Sequence, residues 1–503
     1  MILKRNAIFA PLALFIVLLA SRICVAGMGH INIPIGSQAY SDIETLESYG
    51  LVTTAFLASK PFTYKEAARL TIEAKSRWDR LDAAERSRLV SAPIAMGRLE
   101  AVLENLMPRK DSMSVKPIAN PYVKYYYLSS GAIVTPDMAR GGDTFKDGAN
   151  ARAGLDLMAG SDYLSFNLSP EYRLSNDSSA VEARSAYIVG SLYNIEVVAG
   201  RDPMWWGSSF HGSLIMSDNA EPFESVRITS EMPFILPWVL KRIGLIKPTV
   251  FLARLEEERD YPRASLLGMR LDLRPAPAFQ LGFSRVFMFG GDGRRGLSLS
   301  EWGQVFIVSD SVDHGDSPIN GNQLASIDAS FIYLNKAKYL PFTTMKLYTE
   351  WGFEDSSGDT KTPTGQASLL GVFFKGLAID GLDLRLEWAD TAHSERYGPL
   401  WYEHGVYYTG YRYKGREIGH HMGADARDLF ARAEYRASEG VSYGIEFDYE
   451  RSGVHGEGPE TSRWLGADIT RSFGGLSVKG VAGVTSGEEG GGAVFGIEAS
   501  SIF

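Results

Sequence analysis

The sequence predicts a mainly β protein: a transmembrane antiparallel β-barrel of about 18 strands that follows an N-terminal α-helical domain. Three observations support this fold class. Hydrophobic and polar residues alternate with a period of two beyond residue 114, glycine and aromatic residues concentrate in the same region, and the chain ends in Phe503. The approximately 390 residues of this region, at roughly 20–22 per strand and connection, give the strand number.

The N-terminus has the organisation of a signal peptide over residues 1–27. Lys4 and Arg5 precede an apolar stretch, and the small residues Ala26 and Gly27 offer a cleavage site. Cleavage would also remove Cys24, the single cysteine, which suits export to an oxidising compartment. An uncleaved membrane anchor is the alternative.

Residues 28–113 are predicted to form a helical periplasmic or plug domain. This stretch holds 11 basic and 11 acidic residues, so it is electrically neutral, unlike the remainder of the chain. Thr63 and Glu66 have the spacing of a capping box before a helix that runs to about Trp78. Asp82 can open another helix, and apolar residues recur at helical spacing between Ile94 and Leu106.

Residues 114–503 form the predicted outer-membrane barrel and contain 50 of the 58 aromatic residues and 47 of the 52 glycines. In Leu382–Trp388 and Met269–Arg274, one face of the strand is apolar and the other carries charges of both signs. Mixed charges favour an aqueous lumen, and aromatic residues near strand ends are typical of membrane interfaces. Because soluble sheets also alternate, a secreted β protein remains the alternative at this point.

Several functional classes find no support. A net charge of −9 argues against nucleic-acid binding. Gly291–Gly296 fits a dinucleotide-binding pattern, but residues 297–308 are interpreted as a strand, not the required helix. His420 and His421 are adjacent and lack further ligands at metal-binding spacing. We therefore expect no catalytic residue, no metal site and no cofactor, and the protein is predicted not to be an enzyme.

Two segments rich in aromatic and polar residues interrupt the period-two alternation of the barrel region. They contain Gly200–Gly207 (GRDPMWWG), Ser217–Phe223 (SDNAEPF), Gly410–Tyr413 (GYRY) and Ile418–Asp425 (IGHHMGAD). Together they resemble the Wzi-type capsule assembly family of outer-membrane barrels. The resemblance implies a lectin-like protein of the Gram-negative outer membrane that binds or organises capsular or exo-polysaccharide, with the helical domain in the periplasm. An export pore for polysaccharide or another solute is the alternative function.

Candidate glycan-binding residues combine rings, which pack on sugar C–H faces, with polar donors: Arg201, Trp205, Trp206, Asn219, Tyr411, Arg412, Tyr413, Arg416, His420 and Asp425. If residues 411–416 form a strand, cations and tyrosines occupy opposite faces; in a loop, both can meet a sugar. The expected partners are surface polysaccharide, outer-membrane lipid and, during biogenesis, the barrel assembly machinery. We expect a monomer that binds no nucleic acid.

Overall fold

The structure, a computed structural model, is a closed antiparallel barrel of 18 strands with a helical domain at one end. It describes residues 28–106, 114–306, 319–335, 339–357, 362–393, 401–438, 440–473, 475–488 and 490–501. The predicted signal peptide and Phe503 lie outside these ranges. None of the helices in the described ranges is both long enough and apolar enough to span a bilayer.

The barrel strands, numbered alone, follow chain order around the wall, and the last pairs with the first. They are β1 Ser114–Leu128, β2 Gly148–Gly160, β3 Leu164–Ser175, β4 Ser178–Leu192, β5 Ile195–Arg201, β6 Glu224–Ser230, β7 Leu245–Arg254, β8 Ser265–Ala276, β9 Phe279–Phe289, β10 Gln323–Leu334, β11 Thr344–Phe353, β12 Ala367–Lys375, β13 Leu382–Asp390, β14 Ala426–Ser438, β15 Val441–Ser452, β16 Glu460–Phe473, β17 Leu476–Gly487 and β18 Gly490–Ser501.

The alternation predicted from the sequence is confirmed, with the polar face inward. On β13, Leu386 and Trp388 are 38% and 39% exposed on the outside, whereas Arg385 and Glu387 are buried in the lumen. A soluble sheet protein would bury its apolar face instead. The outward apolar face therefore excludes the secreted β protein and matches a wall that faces lipid.

Aromatic side chains that lie over cross-strand glycines explain part of the glycine content. Phe251 is in register with Gly268, and Tyr348 is in register with Gly371. In both pairs a Cβ atom on the glycine would overlap the ring of its partner. Glycine therefore lets an inward ring lie flat against the barrel wall, an arrangement that also stabilises the glycine-containing strand.

The helical domain contains α1 Gln38–Ser48, α2 Tyr64–Trp78, α3 Ala83–Arg86 and α4 Ser91–Leu106. The predicted caps are present: Thr63 Oγ1 accepts the backbone N–H of Glu66 at 3.0 Å, and Asp82 forms a capping box with Glu85. Ser37 caps α1, because its side chain accepts the backbone N–H of Ala39.

One prediction in the barrel region is wrong. Within the described connections, two further α-helices are present, α5 Pro136–Ala139 and α6 Leu299–Phe306. The second occupies a segment that was interpreted as a strand. Ser298 and Glu301 exchange capping hydrogen bonds, from the Ser298 N–H at 2.6 Å and from the Glu301 N–H at 3.4 Å. This capping signal outweighs the apolar run that suggested a strand. Gly291 and Gly293, which precede this helix, have positive φ and lie in a turn.

The two ends of the barrel differ in their connections. At the end where β1 begins, connections such as those after β4 and β8 span two residues, and the helical domain enters the lumen there. Glu44 and Glu47 of α1 bind Arg385 and Arg274 of the wall, at 2.7 and 2.6 Å. The opposite end carries the connections of residues 202–223 and 391–425, and we call it the long-loop end.

Candidate functional site

Residues 202–223 and 401–425, named loop A and loop B, form the candidate site and fold into the lumen from the long-loop end. Carboxylates on the inner wall hold loop A by its backbone. Glu387 accepts the N–H groups of Phe210 and His211, at 2.7 and 2.9 Å. Glu350 accepts the N–H of Leu214 at 3.0 Å. Because buried N–H groups need acceptors, these wall carboxylates fix the path of the loop.

Loop B binds directly to loop A through hydroxyl groups and backbone. The hydroxyls of Tyr402 and Tyr411 donate to the carbonyls of Leu214 and Ile215, at 2.7 and 2.9 Å. The side-chain amide of Asn219 donates to the carbonyl of Glu417 at 3.0 Å. The two loops therefore form one packed unit.

The helical domain meets loop A inside the barrel. Ser59–Lys60 and Trp205–Trp206 form a two-residue antiparallel pair, and the Gly207 N–H donates to the Ala58 carbonyl at 2.8 Å. The Lys60 ammonium lies 5.2 Å from the centre of the Trp205 ring. Burial lowers the pKa of Lys60 to about 8, and the Glu44 carboxylate opposes that shift. Elements from both ends thus meet in the lumen.

The structure places the aromatic candidates from the sequence in the packed interior. Trp205, Trp206, Tyr411 and Tyr413 are each less than 5% exposed. Trp206 packs on Phe251 of β7, with ring centres 5.4 Å apart. In this structure these rings contact protein and hold the two loops in place.

Residues 411–416 form a hairpin and not an irregular loop. Arg412–Tyr413 pairs with Arg416–Glu417 around Lys414 and Gly415, both of which have positive φ. This backbone matches the two-residue turns that suit hairpins. Of the two alternatives left open by the sequence, the strand is the one observed, and the tyrosines face inward.

The cationic candidates lie on the outer side of this hairpin. Arg412 binds Glu403 and Glu417 at 2.6 and 2.9 Å, and Lys414 binds Glu221 at 2.6 Å. Arg416 donates to the neutral carbonyls of Ala139 and Asn219, at 2.6 and 3.2 Å. Arg201, near Lys414, is 3.4 Å from Glu224. The structure thus gathers four partly exposed cations from two segments at the rim.

His420 and Asp425 lie elsewhere in the loop. His420 is 1% exposed and packs over Gly212, where a Cβ atom would overlap its ring. Asp425 contacts His455 of the connection after β15, at 2.6 Å to Nδ1 and 3.0 Å to the backbone nitrogen. In this structure both side chains contact other parts of the protein.

A cavity of about 410 Å³ remains in the lumen beside α1. Eight cationic and seven acidic side chains line it. They are Lys60, Lys124, Arg140, Lys346, Arg385, Arg432, Arg436 and Lys479, with Glu44, Asp137, Asp383, Glu434, Glu446, Asp468 and Glu498. Tyr126, Phe210 and Trp464 add aromatic surface. The alternation predicted a charged lumen, but not which part of it stays open.

A second polar cluster joins both loops to the wall, and sequence spacing did not reveal it. His211 of loop A lies between Asp448 and Asp428, with Nε2 3.3 and 3.7 Å from their carboxylate oxygens. His421 Nε2 lies 3.0 Å from Asp428. Because these residues come from separate segments, no local sequence motif contains them together.

Comparisons with known proteins agree with this architecture. A family model described as capsule assembly protein Wzi matches residues 122–485. An uncharacterized 55.8 kDa protein from the cps region of Klebsiella pneumoniae is 29% identical over 170 residues, which cover 34% of this chain and 33% of that protein. The match to this curated relative thus spans about a third of its length.

Among solved structures, Escherichia coli Wzi is similar in fold. It is described as an outer membrane protein involved in group 1 capsule assembly and as a carbohydrate-binding β-barrel. The TM-score is 0.71 at 20% identity, over 94% of this chain and 99% of that one. With the family model matched over most of the barrel, the chain belongs to the Wzi capsule assembly family.

Proposed function

We propose that this protein binds surface polysaccharide at the long-loop end of the barrel and acts in capsule assembly. Family membership supports the general role, and E. coli Wzi is described as carbohydrate-binding. The proposal places the barrel in a Gram-negative outer membrane, its apolar exterior against lipid and its helical domain in the periplasm. It involves no catalytic step.

The observation that carries the proposal is the outer side of the hairpin. The chain has a net charge of −9, so its average field repels an acidic polysaccharide. Arg412, Lys414 and Arg416 nevertheless lie together on a hairpin whose tyrosines are buried, and Arg201 of β5 lies near Lys414. Fixed cations lose little conformational entropy on binding, and close range lets them overcome a screened average field.

Among these cations, Arg416 is the strongest candidate for contact with a sugar carboxylate. Its hydrogen bonds go to neutral carbonyls, so its charge is not taken up by a hydrogen-bonded carboxylate in the described part of the chain. Arg412 is already bound to Glu403 and Glu417 and must exchange a partner to bind an anion.

Binding of polysaccharide purified from the producing strain tests the proposal. Replacing Arg412 and Arg416 with Gln should weaken binding about tenfold or more, because each charge-assisted hydrogen bond contributes roughly 1.5–3 kcal/mol. Salt dependence should fall as well. Arg88→Gln, an exposed arginine in the helical domain, is the matched control and should bind as the wild type does.

Heat-modifiable migration on gels confirms that each variant has a folded barrel. Equal polysaccharide binding by a folded double variant and the wild type would refute a glycan site on the hairpin. The closed wall, with β18 paired to β1, supports a monomer assembled by the barrel assembly machinery. The partly open lumen keeps an export pore as the second candidate, which conductance distinguishes.

A further inference from the structure

The cluster around His211 joins four separate parts of the molecule. His211 belongs to loop A and His421 to loop B, whereas Asp428 and Asp448 stand on the neighbouring wall strands β14 and β15. All four side chains are less than 10% exposed. The ring of His211 is stacked on Phe430 at 4.0 Å between centres, which fixes its plane.

Several polar atoms of the cluster lie close to one another but form no hydrogen bond of acceptable geometry within the described residues. They are both ring nitrogens of His211, Nε2 of His421, both carboxylate oxygens of Asp428 and Oδ1 of Asp448. A buried polar atom without a partner costs roughly 1–3 kcal/mol, and a buried charge costs more. So many unsatisfied atoms at one point indicate a missing positive group that they share.

Three of the distances between these atoms are close to those around a small tetrahedral ion. Zinc binds nitrogen and carboxylate oxygen at about 2.0–2.2 Å, so tetrahedral donors lie about 3.3–3.6 Å apart. His211 Nε2 lies 3.3 Å from Asp448 and 3.7 Å from Asp428, and His421 Nε2 lies 3.0 Å from Asp428. Donor atoms of His211, His421 and Asp448 all lie within 4.8 Å of one another.

The types of donor narrow the class of metal. Two imidazole nitrogens with carboxylate oxygens suit Zn²⁺ and related first-row ions. Calcium and magnesium prefer sites made only of oxygen, with more ligands or bound water. Glu450, whose Oε2 is 3.4 Å from His421 Nε2, offers a further carboxylate beside the site.

We propose that His211, His421, Asp428 and Asp448 bind one divalent transition-metal ion of the Zn²⁺ class, which clips both lumenal loops to the barrel wall. The proposal goes beyond polysaccharide binding and replaces the sequence-based expectation that the protein has no metal site. Since the ligands are buried, the ion acts structurally: it holds loops A and B in the arrangement that forms the rim. Metal binding then contributes directly to folded-state stability.

Metal analysis of the full-length protein, purified in detergent and treated with a chelator, tests the site. Adding Zn²⁺ should restore one tightly bound ion per chain and raise the thermal unfolding midpoint. Adding Co²⁺ instead should give the intense visible absorption of tetrahedral coordination, which Zn²⁺ then displaces. Ca²⁺ and Mg²⁺ should produce neither effect.

Variants assign the ion to this cluster. His211→Ala and Asp448→Asn should abolish the cobalt spectrum and the stabilisation by Zn²⁺, while His393→Ala, an exposed histidine after β13, should retain both. If a variant fails to fold, X-ray absorption of the wild-type zinc form still reports whether nitrogen and oxygen ligands surround the metal. Weak, non-stoichiometric binding, or variants that bind like the wild type, would overturn the proposal in favour of a protonated His211 paired with aspartates.

Discussion

Two sides of the same lumen differ in what lies against them. On β8 and β11, Arg270, Asp272 and Glu350 are at most 3% exposed, because wall residues and loop A satisfy their polar groups. On β17 and β18, the inward Lys479 and Glu498 are only half-buried and border the cavity. Both sides alternate in the same way along the sequence.

The difference shows that the period-two pattern predicts whether a side chain points into the lumen, but not what surrounds it there. A period of two places a charged side chain in the lumen, but the lumen is filled by parts of the chain that are distant in sequence. The filled side is therefore a packed polar core, where losing a partner is costly. The open side behaves more like a surface, because water can replace a lost partner.

The largest effect, an increase in conductance, should follow deletion of residues 28–106. Removing the helical domain would extend the cavity into a channel through the barrel. The helical domain occupies the lumen through contacts such as Glu47 with Arg274 and Glu44 with Arg385. We expect the wild type to conduct weakly in planar bilayers and the deletion variant to show large, stable conductance steps. Equal conductance, with large steps in both, would favour the export pore; small steps in both would mean that the loops alone close the lumen.

Comparing Glu387→Ala with Glu498→Ala tests whether the two sides differ energetically. Glu387 accepts hydrogen bonds from the N–H groups of Phe210 and His211 and from the Tyr348 hydroxyl. Its loss should lower the free energy of unfolding by about 3–5 kcal/mol, because several buried donors lose their acceptor. Glu498→Ala, beside the cavity, removes the acceptor of one buried hydroxyl, that of Tyr126, and should cost about 1–2 kcal/mol. Denaturant unfolding in lipid vesicles measures both, and similar losses would contradict the distinction.

The last prediction concerns acid and the docking of the helical domain. Burial disfavours the Glu44 carboxylate, but Arg385 and Lys346 hold its pKa at about 2, below the ordinary 4.5. Its contribution, about 3 kcal/mol, should be complete above pH 4.5 and lost as the pH falls towards 2. The thermal midpoint of the wild type should therefore fall more steeply across this window than that of Glu44→Gln. Parallel pH curves would exclude this role.

Much of the fold could be predicted from the sequence, because its signals are local. Alternation on segments such as Leu382–Trp388 indicates both strands and barrel, and Thr63 and Asp82 mark real helix starts. The strand prediction was wrong at residues 299–306, because it rested on the apolar run and overlooked the capping pair Ser298 and Glu301.

The candidate site could be predicted only in part. The segment Tyr411–Arg416 was correctly seen to combine rings with cations, yet the sequence could not decide which face was buried. The His211 cluster escaped sequence analysis because its ligands lie on two loops and two strands. Such sites depend on tertiary structure and leave no spacing to detect.

The pair formed by Ser59–Lys60 and Trp205–Trp206 has a consequence for the order of folding. Its two strands are about 146 residues apart in the chain, and contacts of such separation carry a large loop-closure entropy. Loop A must already be inside the wall to present Trp205 and Trp206, so we expect this pair to form late. Docking of the helical domain would then be the last step of folding. The wall of the barrel would close first, and the lumen would become rigid only after this docking.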